Sequence, residues 1–309
     1  MDRVLVTGGF GRVGPWVIEQ FLNEGYEVAC VDQQAPETSI PGVSFFEADL
    51  TEQGAAWEIL FEYDPDAIVH LASVARAASE QHGTAVFSAN ARMTYHLLVA
   101  AGHADVPVVW TSSETVYGPM HSDGEWQVDR LPVDESSPTR PTGAYPTSKL
   151  TGEVIAGAVA REFDLSIASV RPSWVVRPID AAGIPGPTYA ELSDLRESFD
   201  PESVTSTWNL WSYVDVRDLG RLLLAVIAGE FEGHELFLGV ADENYLDRST
   251  AEAAQAIGES FPSECSLSGD QSAQSNAKAE RVLGWTPSHS WKSATPTDVS
   301  TPSVLEAVR

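Results

Sequence analysis

The fold is decided by the stretch Val4-Leu5-Val6-Thr7-Gly8-Gly9-Phe10-Gly11-Arg12-Val13-Gly14, residues 4–14. A short β-branched run leads into a turn with four glycines, and an amphipathic segment from Trp16 to Asn23 follows. This order predicts a strand, a tight turn and a helix. Glycines let the backbone approach a pyrophosphate, which the N–H groups at a helix N-terminus can bind. The first candidate binding residues are therefore Gly8, Gly11, Arg12, Val13 and Gly14.

A second predicted strand, Tyr26 to Val31, ends at Asp32. A carboxylate about 20 residues after the glycine turn can accept hydrogen bonds from both ribose hydroxyls of an adenosine. It would repel a 2′-phosphate, so the pattern favours NAD over NADP, although Arg12 inside the turn keeps NADP as an alternative. A plain αβ turn would also explain the glycines, but Asp32 at the end of the second strand favours the dinucleotide.

Further strands are predicted at 43–48, 67–72 and 107–111, with a helix from about Thr84 to Gly102 before the last of them. Strands that alternate with helices indicate an α/β fold, a Rossmann doubly wound parallel sheet. Ligands bind at the carboxyl ends of such strands, where Asp49 and Leu50 could contact an adenine. His70 also stands at a strand end, but a local packing role is the more common one for such a histidine.

Tyr145 and Lys149 stand four residues apart and therefore share one face of a predicted helix. A nearby positive charge favours the ionised phenol and lowers the pKa of a tyrosine. A proton acceptor beside a hydride acceptor is what the oxidation of an alcohol requires. A serine, Ser113, follows the fifth strand and could hold the substrate oxygen, and the long polar stretch 118–142 is predicted to form a rim over this site.

The composition is strongly acidic, with 45 acidic and 18 basic residues and a formal net charge of −27 over 309 residues. Lysine is almost absent, since Lys149, Lys278 and Lys292 are the three in the sequence. Such a surface is typical of a halophilic protein, because molar salt shortens the Debye length to about 3 Å and screens the repulsion. The alternative is an ordinary acidic cytosolic enzyme. Either surface argues against nucleic acids and anionic membranes as partners.

The two cysteines, Cys30 and Cys265, lie far apart in the sequence and show no metal-binding spacing. Both are predicted to be reduced, and no metal site is expected. The sequence contains no apolar run of about 18 residues that would span a membrane. Its first residues also lack the longer apolar stretch of a secretion signal. We expect a soluble, cytoplasmic protein.

Several motifs together resemble the extended short-chain dehydrogenases/reductases, specifically the NAD-dependent epimerase/dehydratase family. The motifs keep the order and spacing of that family along most of the chain. They are Thr7-Gly8-Gly9-x-Gly11-x-x-Gly14, His70-Leu71-Ala72, Ser112-Ser113-x-x-Val116-Tyr117-Gly118, Tyr145-x-x-Ser148-Lys149-x-x-x-Glu153, Ser169-Val170-Arg171-Pro172, Tyr213-x-x-Val216-x-Asp218-Leu219 and Leu283-Gly284-Trp285-x-Pro287.

The resemblance implies a Rossmann domain over residues 1–172 and a smaller substrate lobe over 173–309, with 207–230 returning to the Rossmann core. It implies that Ser113 holds the substrate hydroxyl and that Tyr145 is the acid or base. Lys149 would bind the nicotinamide ribose and lower the pKa of the tyrosine. Leu71, Ala72 and Asn90, with Tyr145 and Lys149, complete the expected cofactor site. Family members often dimerise through the helix that carries the tyrosine, so a homodimer is expected.

The sequence departs from the family at two places. Dehydratases carry Asp-Glu after the serine, whereas this chain has Glu114-Thr115, so dehydration is not expected and Glu114 either assists the substrate or caps the backbone. An arginine that meets a diphosphate normally precedes the Tyr213 motif, but Trp208 to Ser212 contains no basic residue. Arg171 or Arg177 could replace it, and Trp208 and Trp211 either stack on a sugar or belong to the core.

The sequence therefore predicts an NAD-dependent oxidoreductase that acts at a hydroxyl carbon of a sugar or nucleotide sugar, for example a 4-epimerase. A net dehydrogenase of a free aldose or uronate is the alternative, and a non-catalytic, cofactor-binding regulator is a third. Loops are predicted for residues 180–206, and a loosely ordered tail is predicted after Trp291.

Overall fold

Seven parallel strands form the central sheet in this computed structural model, which describes residues 3–36, 38–74, 83–122, 124–179, 186–258, 262, 264–293, 299 and 301–307. In chain order they are β1 (Arg3–Thr7), β2 (Glu27–Asp32), β3 (Val43–Glu47), β4 (Ala67–His70), β5 (Val108–Thr111), β9 (Ile167–Pro172) and β13 (His234–Gly239). Across the sheet their order is β13-β9-β5-β4-β1-β2-β3, and every neighbouring pair is parallel. The predicted α/β doubly wound fold is confirmed.

Helices cover both faces of this sheet. Within the described residues they are α1 (Gly14–Asn23), α2 (Ala55–Tyr63), α3 (Gly83–Ala104), α4 (Ala144–Phe163), α5 (Tyr189–Glu197), α6 (Val216–Ala228), α7 (Thr250–Ile257), α8 (Ala277–Leu283) and α9 (Ser303–Ala307). Helices α1 and α6 pack with the strands into one apolar cluster, and α2, α3 and α4 pack into a second.

The first strand shows why its residues belong in the middle of such a sheet. Side chains alternate between the two faces of a strand, so Val4 and Val6 lie in the cluster with α1 while Leu5 lies in the cluster with α2 to α4. All three are fully buried, and each contributes about 1.5–3 kcal/mol by leaving water. A continuous apolar run is what a strand buried on both faces requires.

The position of β1 also fixes where a ligand can bind. The chain leaves β1 for β2 and β3 on one side and returns to β4 on the other. The loops that follow β1 and β4 therefore diverge and leave a crevice at the carboxyl edge of the sheet. A hydrogen bond from Leu71 N to Thr7 O, 3.1 Å long, holds the two loops side by side at its base.

Short strands form three small sheets in the segments that follow the carboxyl ends of the central strands. They are β6 (His121–Ser122), β7 (Glu125–Trp126), β8 (Arg130–Leu131), β10 (Trp174–Val176), β11 (Ser206–Thr207), β12 (Tyr213–Asp215) and β14 (Glu264–Cys265). Strand β10 pairs with β12 in parallel, β6 pairs with both β7 and β11, and β8 pairs with β14. The polar rim predicted for 118–142 is therefore partly built from strands.

Three C-terminal features differ from the sequence expectation. Helix α5 lies where loops were expected, because Thr188 and Glu191 form a capping box at its start; residues 180–185 of that stretch lie outside the described part. In the tail, Val304 and Leu305 of α9 are buried, and Ser303 Oγ donates to Glu19 of α1 at 2.7 Å. Strand β13 pairs with β9, so the return to the central sheet extends beyond residue 230.

Candidate active site

The turn after β1 can be formed only by glycine at two of its positions. Gly8 has a positive φ of 70°, and a Cβ there would stand 2.7 Å from the backbone N and Cα of Ala72. A Cβ on Gly14 would stand 2.3 Å from the carbonyl oxygen of Gly9. The backbone of the turn therefore packs against the loop after β4 and against itself, which leaves its outer side open to a ligand.

Asp32 lies at the end of β2 and faces this turn. Its Oδ2 accepts a hydrogen bond from the backbone N–H of Phe10 at 3.0 Å, and its Oδ1 accepts one from the N–H of Gln33 at 2.8 Å. A cavity of about 510 Å³, here called the Asp32 cavity, opens beside it. Its lining brings together six predicted cofactor residues, namely Gly8, Gly11, Asp32, Leu50, Leu71 and Ala72. This cradle of glycine backbone and one carboxylate fits the adenosine end of NAD.

Asp49 and Asn90, which are also predicted cofactor residues, line neither this cavity nor the neighbouring one described below. Asp49 is exposed, and its Oδ1 accepts a hydrogen bond from Thr51 N at 2.9 Å that holds the pKa of the carboxyl below its ordinary value. Asn90 is buried, and its side-chain amide contacts Val74 O at 3.3 Å and Ser148 Oγ at 3.0 Å. This side chain therefore joins α3, α4 and the loop after β4, and its place in the cofactor site stays a prediction.

A second cavity, of about 400 Å³, contains the predicted catalytic residues and is called the Tyr145 cavity. It begins at the N-terminus of α1 and extends along the ends of β5 and β9. Its lining includes Gly11, Arg12, Val13, Gly14, Ser113, Glu114, Tyr145, Lys149, Ser173, Trp174 and Arg177. Gly8, Gly11 and Leu71 line both cavities, so the two adjoin at the glycine turn.

Tyr145 and Ser113 both line this cavity, and the Ser113 hydroxyl accepts from the N–H and the hydroxyl of Thr115 at 3.2 and 2.9 Å. Burial raises the pKa of Tyr145 above its ordinary value, and the charge of Glu114 adds to this rise. The Ser113 side chain and the charge of Arg12 act on the Tyr145 pKa in the opposite direction, but burial is the largest effect. The direction is thus opposite to the lowered pKa that the Tyr145–Lys149 spacing suggests.

The surroundings of Lys149 explain part of this difference between the expected and the observed direction of the Tyr145 pKa shift. Its Nζ donates to the carbonyl oxygen of Thr111 at 2.8 Å and lies 5.6 Å from the centre of the Tyr145 ring and 5.5 Å from that of Trp110. Burial lowers the pKa of Lys149 to about 7, because a dry site disfavours the ammonium. A lysine that is partly neutral at neutral pH stabilises a phenolate less than a full charge would.

His70 lies beneath this site and has the local role that the sequence suggests. It is buried, and its Nδ1 lies 2.7 Å from the Thr7 hydroxyl. Burial, together with the nearby charge of Lys149, lowers the pKa of His70 to about 3. The imidazole is therefore neutral at physiological pH and joins β4 to β1.

Glu114 is buried and held by side chains from three distant parts of the chain. Ser173 Oγ donates to Oε2 at 2.6 Å, Asn209 Nδ2 donates to Oε1 at 3.2 Å, and Gln274 also donates to Oε2. Burial raises the pKa of Glu114 to about 7 although these three hydrogen bonds lower it. The sequence did not single out Asn209, Ser173 or Gln274, because no local pattern indicates that they meet one carboxyl.

Arg171, the candidate for a substrate-binding arginine, does not line the Tyr145 cavity. Its Nε and Nη2 donate to the two carboxylate oxygens of Glu153 at 2.8 and 2.7 Å, and its Nη1 donates to the hydroxyl of Tyr117 at 2.8 Å. The guanidinium is 3% exposed. Arg171 therefore joins β9 to α4 beneath the site, and the Glu153 of the family motif is its partner.

Trp208 and Trp211, for which the sequence leaves both a sugar-stacking and a core role open, do not line the Tyr145 cavity. Trp211 is buried in the apolar cluster beside β6 to β8 and packs edge-on against Phe199, with 5.3 Å between ring centres. Trp208 is partly buried and does not line the Tyr145 cavity. The described tryptophan that does line it is Trp174, on β10, and Arg177 follows at the end of the same strand.

The residues that the structure describes contain no group of three histidine, cysteine, aspartate or glutamate side chains arranged to hold a metal ion. None of the helices in this part of the chain combines the length and the apolar character needed to cross a membrane.

Comparison with known proteins identifies the family of this chain. A sequence model of the NAD dependent epimerase/dehydratase family matches residues 4–238. The UDP-glucose 4-epimerase of Corynebacterium glutamicum is 25% identical over 310 residues, which cover 93% of this chain and 91% of that protein.

Two solved structures share the fold of this chain. The UDP-glucose 4-epimerase of Thermotoga maritima, solved with UDP-glucose, aligns with a TM-score of 0.69 and 21% identity over 94% of this chain and 96% of that one. The UDP-glucose 4-epimerase of Bifidobacterium longum, solved with NAD+ and UDP, aligns with a TM-score of 0.67 and 22% identity over 95% of this chain and 96% of that one. Because the family match extends over most of the sequence, the chain belongs to the NAD-dependent epimerase/dehydratase family.

Proposed function

We propose that this protein oxidises a hydroxyl-bearing carbon of a sugar or nucleotide sugar with NAD, and that Ser113, Tyr145 and Lys149 manage the proton. The observation that carries the proposal is the meeting of these three side chains in the Tyr145 cavity. All three residues line this cavity, and the Lys149 ammonium lies 5.6 Å from the centre of the Tyr145 ring. The same cavity continues into the glycine turn and from there into the Asp32 cavity.

The residues present fit the cofactor of the family. Asp32 would accept hydrogen bonds from the adenosine ribose, and the backbone at Gly11 to Gly14 would hold the pyrophosphate at the start of α1. Bound in this way, NAD supplies the hydride acceptor beside Tyr145. Tyr145 Oη would take the hydroxyl proton while the Ser113 hydroxyl holds the substrate oxygen. Because burial raises the pKa of Tyr145, the positive charges of Arg12 and Lys149 are needed to favour the phenolate.

We infer that a nucleotide-sugar 4-epimerase is the first candidate, since several relatives, among them those of Corynebacterium glutamicum and Caenorhabditis elegans, are UDP-glucose 4-epimerases. A net dehydrogenase of a free aldose or uronate is the second. One observation favours it: the segment where the family usually carries a diphosphate-binding arginine has a buried Trp211 instead, and Arg171 is engaged by Glu153. A non-catalytic regulator has no need of Ser113, Tyr145 and Lys149 together, so it is the least favoured.

Tyr145→Phe tests the chemistry. Loss of the proton acceptor should lower kcat by about 100- to 10,000-fold, while the affinity for NAD, measured by calorimetry, should change little. Tyr95→Phe is a matched control, because it removes the same hydroxyl from a side chain on α3 that is 53% exposed and lines neither cavity. Unchanged turnover in Tyr145→Phe would show that the mechanism is wrong.

The two enzyme candidates differ in what happens to the reduced cofactor. Purified protein is analysed for retained NAD and is then given UDP-sugars or free sugars with NAD, while absorbance of NADH and the sugar products are followed. Retained cofactor and an inverted sugar without net NADH would support the epimerase. Stoichiometric NADH from a free aldose or uronate would exclude it and establish the dehydrogenase.

A further inference from the structure

The carboxyl of Glu114 is an ionisable group of the Tyr145 cavity that the proposed mechanism leaves unused. Glu114 lines this cavity, follows Ser113 directly in the chain and is 6% exposed. It begins the short 3-10 helix Glu114–Tyr117, and the Ser113 side chain caps that helix by accepting from Thr115 N. The same turn therefore places both the Ser113 hydroxyl and the Glu114 carboxyl, so a substrate held by the one is close to the other.

Neutral side chains hold this carboxyl in place. None of the ion pairs among the described residues includes Glu114. Its hydrogen bonds come from the side chains of Ser173 after β9, Asn209 before β12 and Gln274 before α8. Capping of the backbone, the other role that the sequence leaves open for Glu114, does not account for these contacts. Three separate segments support one buried carboxyl at the cavity, and burying such a group without them would be costly.

The carboxyl keeps room for one further hydrogen bond. The two oxygens of an ionised carboxylate offer about four acceptor positions. Ser173 Oγ and Gln274 Nε2 both donate to Oε2, whereas Asn209 Nδ2 is the one donor to Oε1. Within the described part of the chain, Oε1 therefore has an acceptor position that no protein donor fills. Because Glu114 lines the cavity, a ligand in the cavity can supply that donor.

A hydroxyl is the group that suits this position in either protonation state of the carboxyl. Burial raises the pKa of Glu114 to about 7, so both states are populated near neutral pH. The ionised carboxylate accepts a hydrogen bond, and the protonated carboxyl also donates one; a hydroxyl can act as the partner in both cases. An ammonium group would suit the ionised state alone, and the ionised state would repel a carboxylate or a phosphate.

We propose that Glu114 binds a second hydroxyl of the sugar, while Ser113 holds the hydroxyl that is oxidised, and that this contact selects sugars that carry both groups. This rests on the proposed function, because it assigns a substrate contact in the same cavity. A deoxy sugar that displaces water from the cavity would leave a buried carboxyl without its last hydrogen-bond partner. Sites built to bind a hydroxyl reject an analogue without it strongly for this reason.

The test uses two series of ligands, UDP-galactose and free galactose, each with its 2-, 3- and 6-deoxy derivatives. Affinity is measured by calorimetry on the NADH-loaded protein, which cannot accept a hydride, and kcat/KM is measured with NAD. We expect one deoxy position to cost the parent protein at least about 10-fold relative to the full sugar. In Glu114→Ala the same position should cost less than about 2-fold, because the partner of the missing hydroxyl is gone. Glu114→Gln keeps a neutral acceptor, so its penalty should lie between the two.

Asn209→Ala is the matched control, because Asn209 donates to Glu114 but does not line the cavity. It should weaken all ligands of a series by a similar factor and keep the deoxy penalty. A purely structural Glu114 would behave in the same way, so equal losses across a series in Glu114→Ala overturn the proposal. Equal binding of the full and all deoxy sugars by the parent also overturns it, and that result needs no variant. A selective deoxy penalty in a protein that binds sugars but turns over none would instead overturn the proposed function alone.

Discussion

Glu114, Tyr145 and Lys149 line one cavity, and burial controls the charge of all three. A dry cavity disfavours every charged form, so it raises the pKa of Glu114 and Tyr145 and lowers that of Lys149. The sequence identifies these residues, because Tyr145 and Lys149 follow a helical spacing. It cannot give the sign of the pKa shift, since that sign depends on desolvation by residues such as Trp174 that are distant in sequence.

The parent protein should lose stability as the pH rises, because Glu114 must ionise in a buried site, and Glu114→Gln should remove this loss. Burial raises the pKa of Glu114 from its ordinary 4.5 to about 7, so the folded protein prefers the protonated carboxyl. The stability that this preference contributes is present below about pH 4.5 and is lost as the pH rises through about 7. Between pH 4 and pH 9 the free energy of unfolding of the variant should rise relative to the parent by roughly 3 kcal/mol. Urea unfolding at a series of pH values, at one NAD concentration, measures this.

The matched control is Glu62→Gln, which makes the same chemical change at an exposed position on α2. A difference between Glu114→Gln and the parent that stays constant from pH 4 to pH 9 would contradict the assignment of a buried, protonated Glu114. The variant also reports on Tyr145, because the charge of Glu114 raises the tyrosine pKa. The pH–rate profile of the variant should therefore move towards lower pH.

Among the elements, α4 carries Tyr145 and Lys149 and is aligned by buried contacts further along it. Gly152 lies against the indole of Trp110 on β5, and a Cβ there would stand 2.5 Å from Trp110 Cη2. Glu153 pairs with Arg171 on β9 and also accepts from Ser112 at 2.6 Å. The helix is therefore fixed to two central strands directly below the site. The motif spacing predicts the helix, but only the packing shows why a glycine follows the lysine.

Gly152→Ala should destabilise the protein although alanine is the better helix former. The added methyl group would overlap the ring of Trp110, and such overpacking costs about 1–3 kcal/mol. It should also displace Lys149, whose ammonium lies 5.5 Å from the same ring, so kcat should fall as well. Gly220→Ala is the control in α6, because a Cβ there meets Gln20 at an ordinary 3.6 Å and should stabilise by up to about 1 kcal/mol. Equal unfolding midpoints for the two variants in urea would contradict this account.

Helix α5 shows what the sequence signal can and cannot supply at this scale. Thr188 and Glu191 have the spacing of a capping box, which is a local signal for a helix start. The glycine, proline and acidic residues of 180–206 nevertheless favour loops. Leu192 is the one residue of α5 that is buried, so the helix has no apolar stripe that would reveal it in the sequence. By contrast, β1, its glycine turn and α1 were predictable, because an apolar run, glycines and an amphipathic helix each leave a local pattern.

For the whole molecule, the family resemblance predicts the Rossmann parallel sheet and a site that combines Ser113, Tyr145 and Lys149, and all three line the Tyr145 cavity. It did not predict which remote side chains complete that cavity. Asn209 and Gln274 reach Glu114 from 95 and 160 residues away along the chain, and the place of Arg177 depends on the start of α5. Such contacts are set by the packing of the segments above the sheet, and a sequence without comparison to others carries no sign of them.

The acidic surface gives a last prediction for the whole molecule. At 0.1 M salt the Debye length is about 10 Å, so neighbouring carboxylates of a protein with net charge −27 repel one another, and at 1 M it is about 3 Å. The folded state is compact and gains more from screening than the unfolded chain does. If molar salt removes about 2 kcal/mol of repulsion, the melting temperature of a chain of 309 residues should rise by about 3 °C. Calorimetry in 0.1 M and 2 M KCl measures this, with sucrose of equal osmolality as the control for an excluded cosolute. An equal rise in sucrose, or none in KCl, would favour an ordinary acidic protein, whereas a rise specific to KCl identifies screening and supports the halophilic interpretation.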